Sequence, residues 1–370
     1  MQKIKKQIVT QRLVLKSLED KDVDQFVSML LDTNINKTYM IPDFESEEKA
    51  IEFFFRLKKA SGAENRFIYG IYLDDLVIGF LNDVDIDGDT IELGYFISSK
   101  YWNKGFASEA LKAAIEVLFE TGFERVIAAH FECNPSSGRV MQKCGMTPFE
   151  KEEYIKWKGQ NHRCVYYEIK NDRIVELCFV DARKYGLSYL KSLDLLSDED
   201  IAKSMRSKQE IDQKEKLVSC YLKNRFVGDD IYINERGKPL SDKVYFNISH
   251  SKGMVCLAIS KKYCVGVDIE LIRPSKEDLW RFITSDEEFD LIHNDEDFFR
   301  IWTLKEAITK ADGEGVAGKI PLIPSLPFDG AKEYKSHLYR TKSFLYNDYM
   351  TSIALEDEKE FICHINEIEL

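Results

Sequence analysis

Several common signals are missing from this 370-residue chain. Its eight cysteines (133, 144, 164, 178, 220, 256, 264 and 363) form no Cys-x-x-Cys pair. That argues against a zinc site or a disulfide framework and fits reduced core thiols in a cytoplasmic protein. No apolar run is long enough to span a membrane, and the basic start Met1–Lys6 leads into no apolar stretch, which predicts no secretory leader. Basic excess is also lacking: 52 Lys and Arg face 64 Asp and Glu, a net charge of -12. Sequence-independent binding to a nucleic-acid backbone is therefore not expected. The first half shows no internal repeat, and no Gly/Ser- or Pro-rich linker separates it from the second near residue 171. What is present is 44% hydrophobic and 12% aromatic residues, enough for substantial cores, in a length that predicts about two domains.

In the first half, residues 8–17 alternate apolar and polar like a half-buried strand, and 20–31 and 47–59 have helical periodicity. Strand-like runs at 67–72, 76–84 and 91–97 are broken by Asp74-Asp75 and Asp87-Gly88-Asp89 turns. A helix is expected over 106–121, a strand over 125–131, a short helix over 137–143, and strands near 153–157 and 164–169. The pattern is that of a mixed α/β domain. Its informative segment is Tyr101-Trp102-Asn103-Lys104-Gly105-Phe106-Ala107-Ser108-Glu109-Ala110. A strand, a Gly-containing loop and a helix start present free N–H groups to phosphate oxygens. Gly105 and Ala107 are small where a close approach requires it. An ordinary strand-to-helix loop reads the same way. A second element, Asn134-Pro135-Ser136-Ser137-Gly138-Arg139, follows.

Together these segments resemble the GNAT family of acetyl-coenzyme A-dependent N-acetyltransferases, in the subgroup of ribosomal-protein and small-amine acetyltransferases, over nearly all of residues 7–170. The resemblance implies a mixed sheet with helices and acetyl-coenzyme A as substrate. It implies that the backbone of Asn103, Lys104, Gly105, Phe106, Ala107 and Ser108 cradles the pyrophosphate, with Asn134 and Ser137 near the pantetheine arm and thiol. Trp102 stands where many members have Gln or Arg. Glu92, in Ile91-Glu92-Leu93-Gly94-Tyr95, matches a general base for the amine; an exposed strand carboxylate is the alternative. Ser137 either protonates the leaving thiolate or is a helix cap. The acceptor amine is not legible.

Asn171-Asp172 reads as a turn between two strand-like runs, which divides the chain into domains 1–170 and 171–370. In the second, Ser197 with Asp200 three residues on reads as a helix start, followed by charged helices through 203–209 and 212–226. A strand at 231–234, a turn at Glu235-Arg236-Gly237-Lys238-Pro239 and strands at 244–251, 254–260 and 263–270 are expected next. On the last, Asp268 and Glu270 are two apart and share a face. Two carboxylates on a strand of Val and Ile are either solvent-facing or hold a cation, and oxygen-only ligands favour Mg²⁺. Trp302–Lys310 reads as helix, with Ile301, Leu304 and Ile308 as a buried stripe and Glu306 and Lys310 four apart on one face. Spacing alone makes that pair a solvated surface bridge.

Asn247-Ile248-Ser249-His250-Ser251, Val265-Gly266-Val267-Asp268-Ile269-Glu270 and Phe298–Lys310, in this order and spacing, resemble the 4′-phosphopantetheinyl transferases of the surfactin-synthetase type over most of 185–370. The resemblance implies two similar α/β subdomains, about 173–268 and 269–370, with coenzyme A between them. It implies Mg²⁺ held by Asp268, Glu270 and Glu306, with Ser249 and His250 on the phosphates. His250 and Lys238 would lie near the 3′-phosphate and Lys203 at the nucleotide side. Asp200 and Glu215 fall where the family carries basic residues, with Lys208, Lys214 and Lys216 as substitutes.

Glu306 is then the base for a serine of an acyl or peptidyl carrier protein, a small helical acidic domain, and adenosine 3′,5′-bisphosphate leaves. Lys310 stabilises charge on the phosphates, and Lys305 either reaches phosphate or is a surface lysine. The whole chain is expected to be a cytoplasmic two-site transferase of secondary-metabolite assembly, with no nucleic-acid or membrane partner. The alternative makes the first half a non-catalytic module that binds coenzyme A or helps recognise the carrier.

Overall fold

The computed structural model describes residues 6–37, 39–228, 230–235, 238–313 and 320–370. Arg236 and Gly237 of the expected turn lie outside them. The chain divides into two compact units, Met1–Asn171 and Asp172–Leu370.

The first unit opens with strands β1 (Gln7–Val9) and β2 (Val14–Lys16) and helices α1 (Val23–Leu30), α2 (Thr33–Asn36) and α3 (Glu47–Ser61). Strands β3 (Ile68–Leu73), β4 (Leu76–Asp87) and β5 (Thr90–Ile97) lead to helix α4 (Phe106–Glu120). Strand β6 (Arg125–Phe131), helix α5 (Pro135–Lys143) and the hairpin β7 (Thr147–Trp157) and β8 (Gln160–Lys170) complete it. The eight strands form one sheet in the order β1-β2-β3-β4-β5-β6-β8-β7. Apolar residues three and four apart on α4, including Leu111, Ile115 and Leu118, pack on Leu93, Val126 and Ala128. A separate core joins Phe26 of α1 and Phe54 of α3 to Phe80 and Phe96. Strands β5 and β6 are parallel and paired only from Thr90–Leu93 against Arg125–Ala128. Beyond those residues the ladder stops, and the two strands line a cavity.

The second unit begins with β9 (Ile174–Asp181), α6 (Leu187–Lys191), α7 (Asp198–Ser204) and α8 (Glu210–Phe226). Then come β10 (Tyr232–Ile233), β11 (Pro239–Leu240), β12 (Tyr245–Ser251), β13 (Met254–Ser260) and β14 (Val265–Leu271). Helices α9 (Glu277–Ile283), α10 (Asp286–Phe289) and α11 (Asp295–Asp312) precede β15 (Gly330–Tyr334), β16 (His337–Tyr346), β17 (Tyr349–Leu355) and β18 (Ile362–Glu367). Two four-stranded sheets result, β12-β13-β9-β18 and β14-β17-β16-β15.

Two expectations are corrected here. The subdomain limit at 268 cuts β14, which belongs wholly to the second sheet, and β18 returns to pair in parallel with β9 of the first. The two halves are therefore interleaved in sequence. The helix expected over 203–209 stops at Ser204. The Ser207 carbonyl is taken by the Gln213 side chain at 2.8 Å, and a new helix starts at Glu210. Among the described residues no helix is long and apolar enough to cross a membrane.

Candidate active sites

In the first unit a cavity of about 570 Å³ opens where β5 and β6 part and the N-terminus of α4 meets the start of α5. Gly105 caps α4 at φ +83°, a left-handed conformation that only glycine adopts without strain. It turns the chain so that the first-turn N–H groups of α4 face outward, without a capping side chain. The loop is held from behind. Glu109 accepts from the Thr10 hydroxyl at 2.6 Å and from Arg12 backbone N–H and Nε at 2.8 and 2.7 Å, and Arg12 also donates to the Lys104 carbonyl. Asn103, Gly105, Phe106, Ala107 and Ser108 line the cavity from this side and Asn134 and Ser137 from the other. Lys104 is not in the lining, and its ammonium lies over the Tyr101 ring.

The cap reading of Ser137 is wrong. Helix α5 starts at Pro135 after Asn134, because proline is preorganised for the first helical position. The Ser137 hydroxyl instead sits 3.0 Å from the hydroxyl of Tyr95, a cavity-lining tyrosine that the sequence reading missed. Burial pushes the Tyr95 phenol up, so the Ser137–Tyr95 pair stays neutral. Strand alternation could have identified Tyr95, since it shares a face with the core residues Ile91 and Leu93. Glu92 is on the face of β5 that it shares with Gly94; Gly94 lines the cavity, and Glu92, two residues before it, does not. It is half-buried, and burial, with repulsion from Glu153 and Asp85, raises its carboxyl despite the nearby Lys151 charge.

In the second unit the site is built on a close approach. A Cβ on Gly266 of β14 would lie 2.0 Å from the Ala307 carbonyl oxygen and 2.5 Å from the Ala311 amide nitrogen of α11. Strand and helix backbones touch there, which sets Glu306 and Lys310 against Asp268. The other wall is β12. Alternate residues of Asn-Ile-Ser-His-Ser face β14. Asn247 Oδ1 accepts from Val267 N–H, Ser249 Oγ donates to Asp268 Oδ1 at 2.8 Å, and Ser251 Oγ donates to Glu270 Oε2 at 2.7 Å. Side chains thus stitch together strands of two different sheets.

Lys310 Nζ donates to Asp268 Oδ1 at 2.6 Å and to Ser249 Oγ at 3.0 Å. Asp268 is 5% exposed, and its Oδ2 is buried with no hydrogen-bond partner. Burial raises Asp268, with Glu270 adding to the effect and Lys310 and Ser249 opposing it. Glu306 is half-buried and raised by burial and by repulsion from Asp268 and Glu270. Glu270 accepts from Ser251 and pairs with Arg273 at 3.1 Å. Of the two sequence alternatives for Asp268, the solvent-facing one does not hold: the carboxylate is buried, and a lysine of its own chain pairs with it.

The other expected residues lie elsewhere. His250 points to the opposite face of β12, where Nδ1 is 2.9 Å from Glu215 of α8. Burial opposes ionisation of Glu215, but the bonds from His250 and Gly253 N–H outweigh it and hold the carboxyl low. Lys238 Nζ caps α11 through the carbonyls of Lys310 and Ala311 at 2.7 and 3.1 Å. Lys203 is exposed and pairs with Glu199. Lys305 is neither a surface lysine nor turned toward the carboxylates. It is 1% exposed and paired with Glu288 at 2.7 Å, with the Ile320 carbonyl also accepting.

Among the described residues no three His, Cys, Asp or Glu side chains already stand as a ligand cluster. The donor chemistry nonetheless fits a hard divalent cation. A buried, unpartnered carboxylate oxygen on Asp268 neighbours two carboxylates whose mutual repulsion a cation would relieve.

Comparisons with known proteins match the two units separately. Residues 12–147 match the family described as acetyltransferase (GNAT) domain. Residues 264–360 match the 4′-phosphopantetheinyl transferase superfamily. The uncharacterized N-acetyltransferase YnaD of Bacillus subtilis is 34% identical over 141 residues, covering 38% of this chain and 81% of that protein. The 4′-phosphopantetheinyl transferase AcpT of Escherichia coli O157:H7 is 38% identical over 109 residues, 26% of this chain and 54% of that protein. This chain thus spans about half the length of the curated phosphopantetheinyl transferases it matches, 54% of AcpT and 46% of HetI from Nostoc. A crystal structure of a GNAT-family acetyltransferase from Bacillus anthracis aligns with TM-score 0.39 and 29% identity, covering 44% of this chain and 98% of that one.

Proposed function

We propose, since this chain belongs to the GNAT acetyltransferases and its residues 264–360 match the 4′-phosphopantetheinyl transferase superfamily, that it is a transferase with two coenzyme A-using active sites. Residues 1–170 would acetylate an amine from acetyl-coenzyme A. Residues 171–370 would act as a surfactin-synthetase-type phosphopantetheinyl transferase, moving the 4′-phosphopantetheine arm of coenzyme A onto a serine of an acyl or peptidyl carrier protein.

The observation that carries the second activity is the buried, unpartnered Asp268 oxygen, with Glu306 near enough for the two carboxylates to repel each other. Asp268, Glu270 and Glu306 would hold Mg²⁺, which when bound offsets charge on the phosphate oxygens. Glu306, raised by its surroundings, accepts the carrier serine proton. The serine oxygen bonds to the β-phosphorus, and the bond from that phosphorus to adenosine 3′,5′-bisphosphate breaks. Ser249 holds Asp268 Oδ1 in place, and Lys310 reaches the phosphate from the next turn of α11.

The acetyltransferase reading rests on the cavity at the α4 N-terminus, where outward N–H groups suit a pyrophosphate. Glu92 takes the amine proton, and the Ser137–Tyr95 hydroxyl pair returns one to the leaving thiolate. A raised base ionises only above its elevated pKa, so kcat/KM for acetylation should fall with decreasing pH at a point above that of an ordinary glutamate. Glu92→Gln should lower kcat by about 10²-fold or more and abolish that acidic limb, read by acetyl-coenzyme A turnover over a panel of amines. An unchanged profile would remove Glu92 from the mechanism.

A further inference from the structure

Every carboxylate of the second site except Glu306 already holds a cation of its own chain: Asp268 holds Lys310 and Glu270 holds Arg273. The two cations are not equivalent. Arg273 is three residues from Glu270 on the same segment and also donates to the Leu271 carbonyl, so it is anchored locally. Lys310 reaches Asp268 from another element, as the last long cationic side chain of α11. Its backbone carbonyl is held by Lys238, while the flexible stem is partly exposed and free to choose among partners. Lys310 occupies Oδ1 only, leaving Oδ2 buried and without a partner, a costly state for a carboxylate oxygen that calls for an explanation.

Glu306 is one helical turn before Lys310, so the ammonium neutralises Asp268 without closing the three carboxylates into a ligand set. Two positive charges, Lys310 and Arg273, stand among three negative ones, which leaves Glu306 as the carboxylate without a counter-ion and the Asp268 oxygen Oδ2 without a partner. An ammonium hydrogen-bonded to Asp268 at 2.6 Å opposes a divalent ion's approach.

We propose that Lys310 is the resident counter-ion of Asp268, competing with the divalent cation for that carboxylate in the free protein and released toward the coenzyme phosphates when the cation binds. This rests on the phosphopantetheinyl transferase reading of the site. Lys310 then serves two consecutive partners. It keeps the buried Asp268 charge-paired while the site is empty of substrate, and it becomes available to phosphate only in the metal-loaded state, so metal binding is coupled to substrate engagement.

The test is a titration of the full chain with Mn²⁺ at pH 8, without coenzyme A or carrier, reading free Mn²⁺ by electron paramagnetic resonance. Lys310→Met should bind Mn²⁺ at least about tenfold more tightly than wild type, because a like charge has been removed from the ligand. Lys310→Arg keeps the charge and should stay within about threefold of wild type, which also controls for loss of folding. Asp268→Asn should lose the binding in either background. The proposal is overturned if Lys310→Met binds no more tightly than wild type, or if Lys310→Arg gains as much as Lys310→Met. Failure of the underlying function shows elsewhere: wild type at saturating Mg²⁺ then leaves every apo carrier unmodified, whatever the Mn²⁺ titration reports.

Discussion

Glu306 sits at a place that resists its charge, and that tension is what a base and metal ligand requires. A carboxyl raised in the folded state binds its proton more readily there than in the unfolded chain. Its ionisation therefore costs stability, a cost absent at low pH and growing as pH rises through the raised pKa. Glu306→Gln should lower carrier modification by about 10²–10⁴-fold and raise the neutral-pH melting temperature of the second unit by roughly 2 °C. Scanning calorimetry beside the transfer assay separates the two effects; a loss of both would make Glu306 structural. Lys305, its neighbour in sequence, behaves oppositely. It lies buried against Glu288, and burial lowers its pKa while the carboxylate resists that shift. Lys305→Ala leaves Glu288 unpaired in the core and should cost about 3–5 kcal/mol in urea unfolding. Weaker coenzyme A binding with unchanged stability would restore a phosphate role for Lys305.

At the scale of elements, the second site depends on how closely α11 lies on β14. Gly266→Ala places a methyl against backbone atoms that cannot rotate away. It should cost about 1–3 kcal/mol and cut carrier modification well beyond what that loss of stability explains, because Glu306 and Lys310 move off Asp268. Near-normal transfer by this variant would mean that the strand–helix spacing is not what assembles the site. The same elements show what a sequence does and does not disclose. Period-2 alternation put Asp268 and Glu270 on one face, and helical period put Ile301, Leu304 and Ile308 in the core. The same helical period also places Lys305 on that stripe, four residues after Ile301, but its charge disguised it and its partner Glu288 is distant in sequence. Ser249 and His250 are adjacent in the chain, yet alternation sends one to Asp268 and the other to Glu215. Which cation Asp268 holds depended on a tertiary contact between β14 and α11, to which no local pattern points.

At the scale of the molecule, two units with separate cores carry the two proposed chemistries in one chain with a net charge of -12. An acidic carrier would have to dock on a local patch rather than through the field of the whole protein. The mixed sheet and the cavity-facing Asn103–Ser108 loop of the first unit were legible because a helix start with small residues has a local signature. The interleaving of the second unit was not, since β18 pairs with β9 across most of that unit's length. If each unit works by itself, damage to one site should spare the other. The most direct measurement is the intact mass of apo carrier proteins incubated with coenzyme A, Mg²⁺ and either wild type or Asp268→Ala, with acetyl-coenzyme A binding measured in parallel. The account predicts one added phosphopantetheine per carrier with wild type, none with Asp268→Ala, and equal acetyl-coenzyme A binding by both. Carriers left unmodified by wild type across a broad range, or modified as readily by Asp268→Ala, would contradict it.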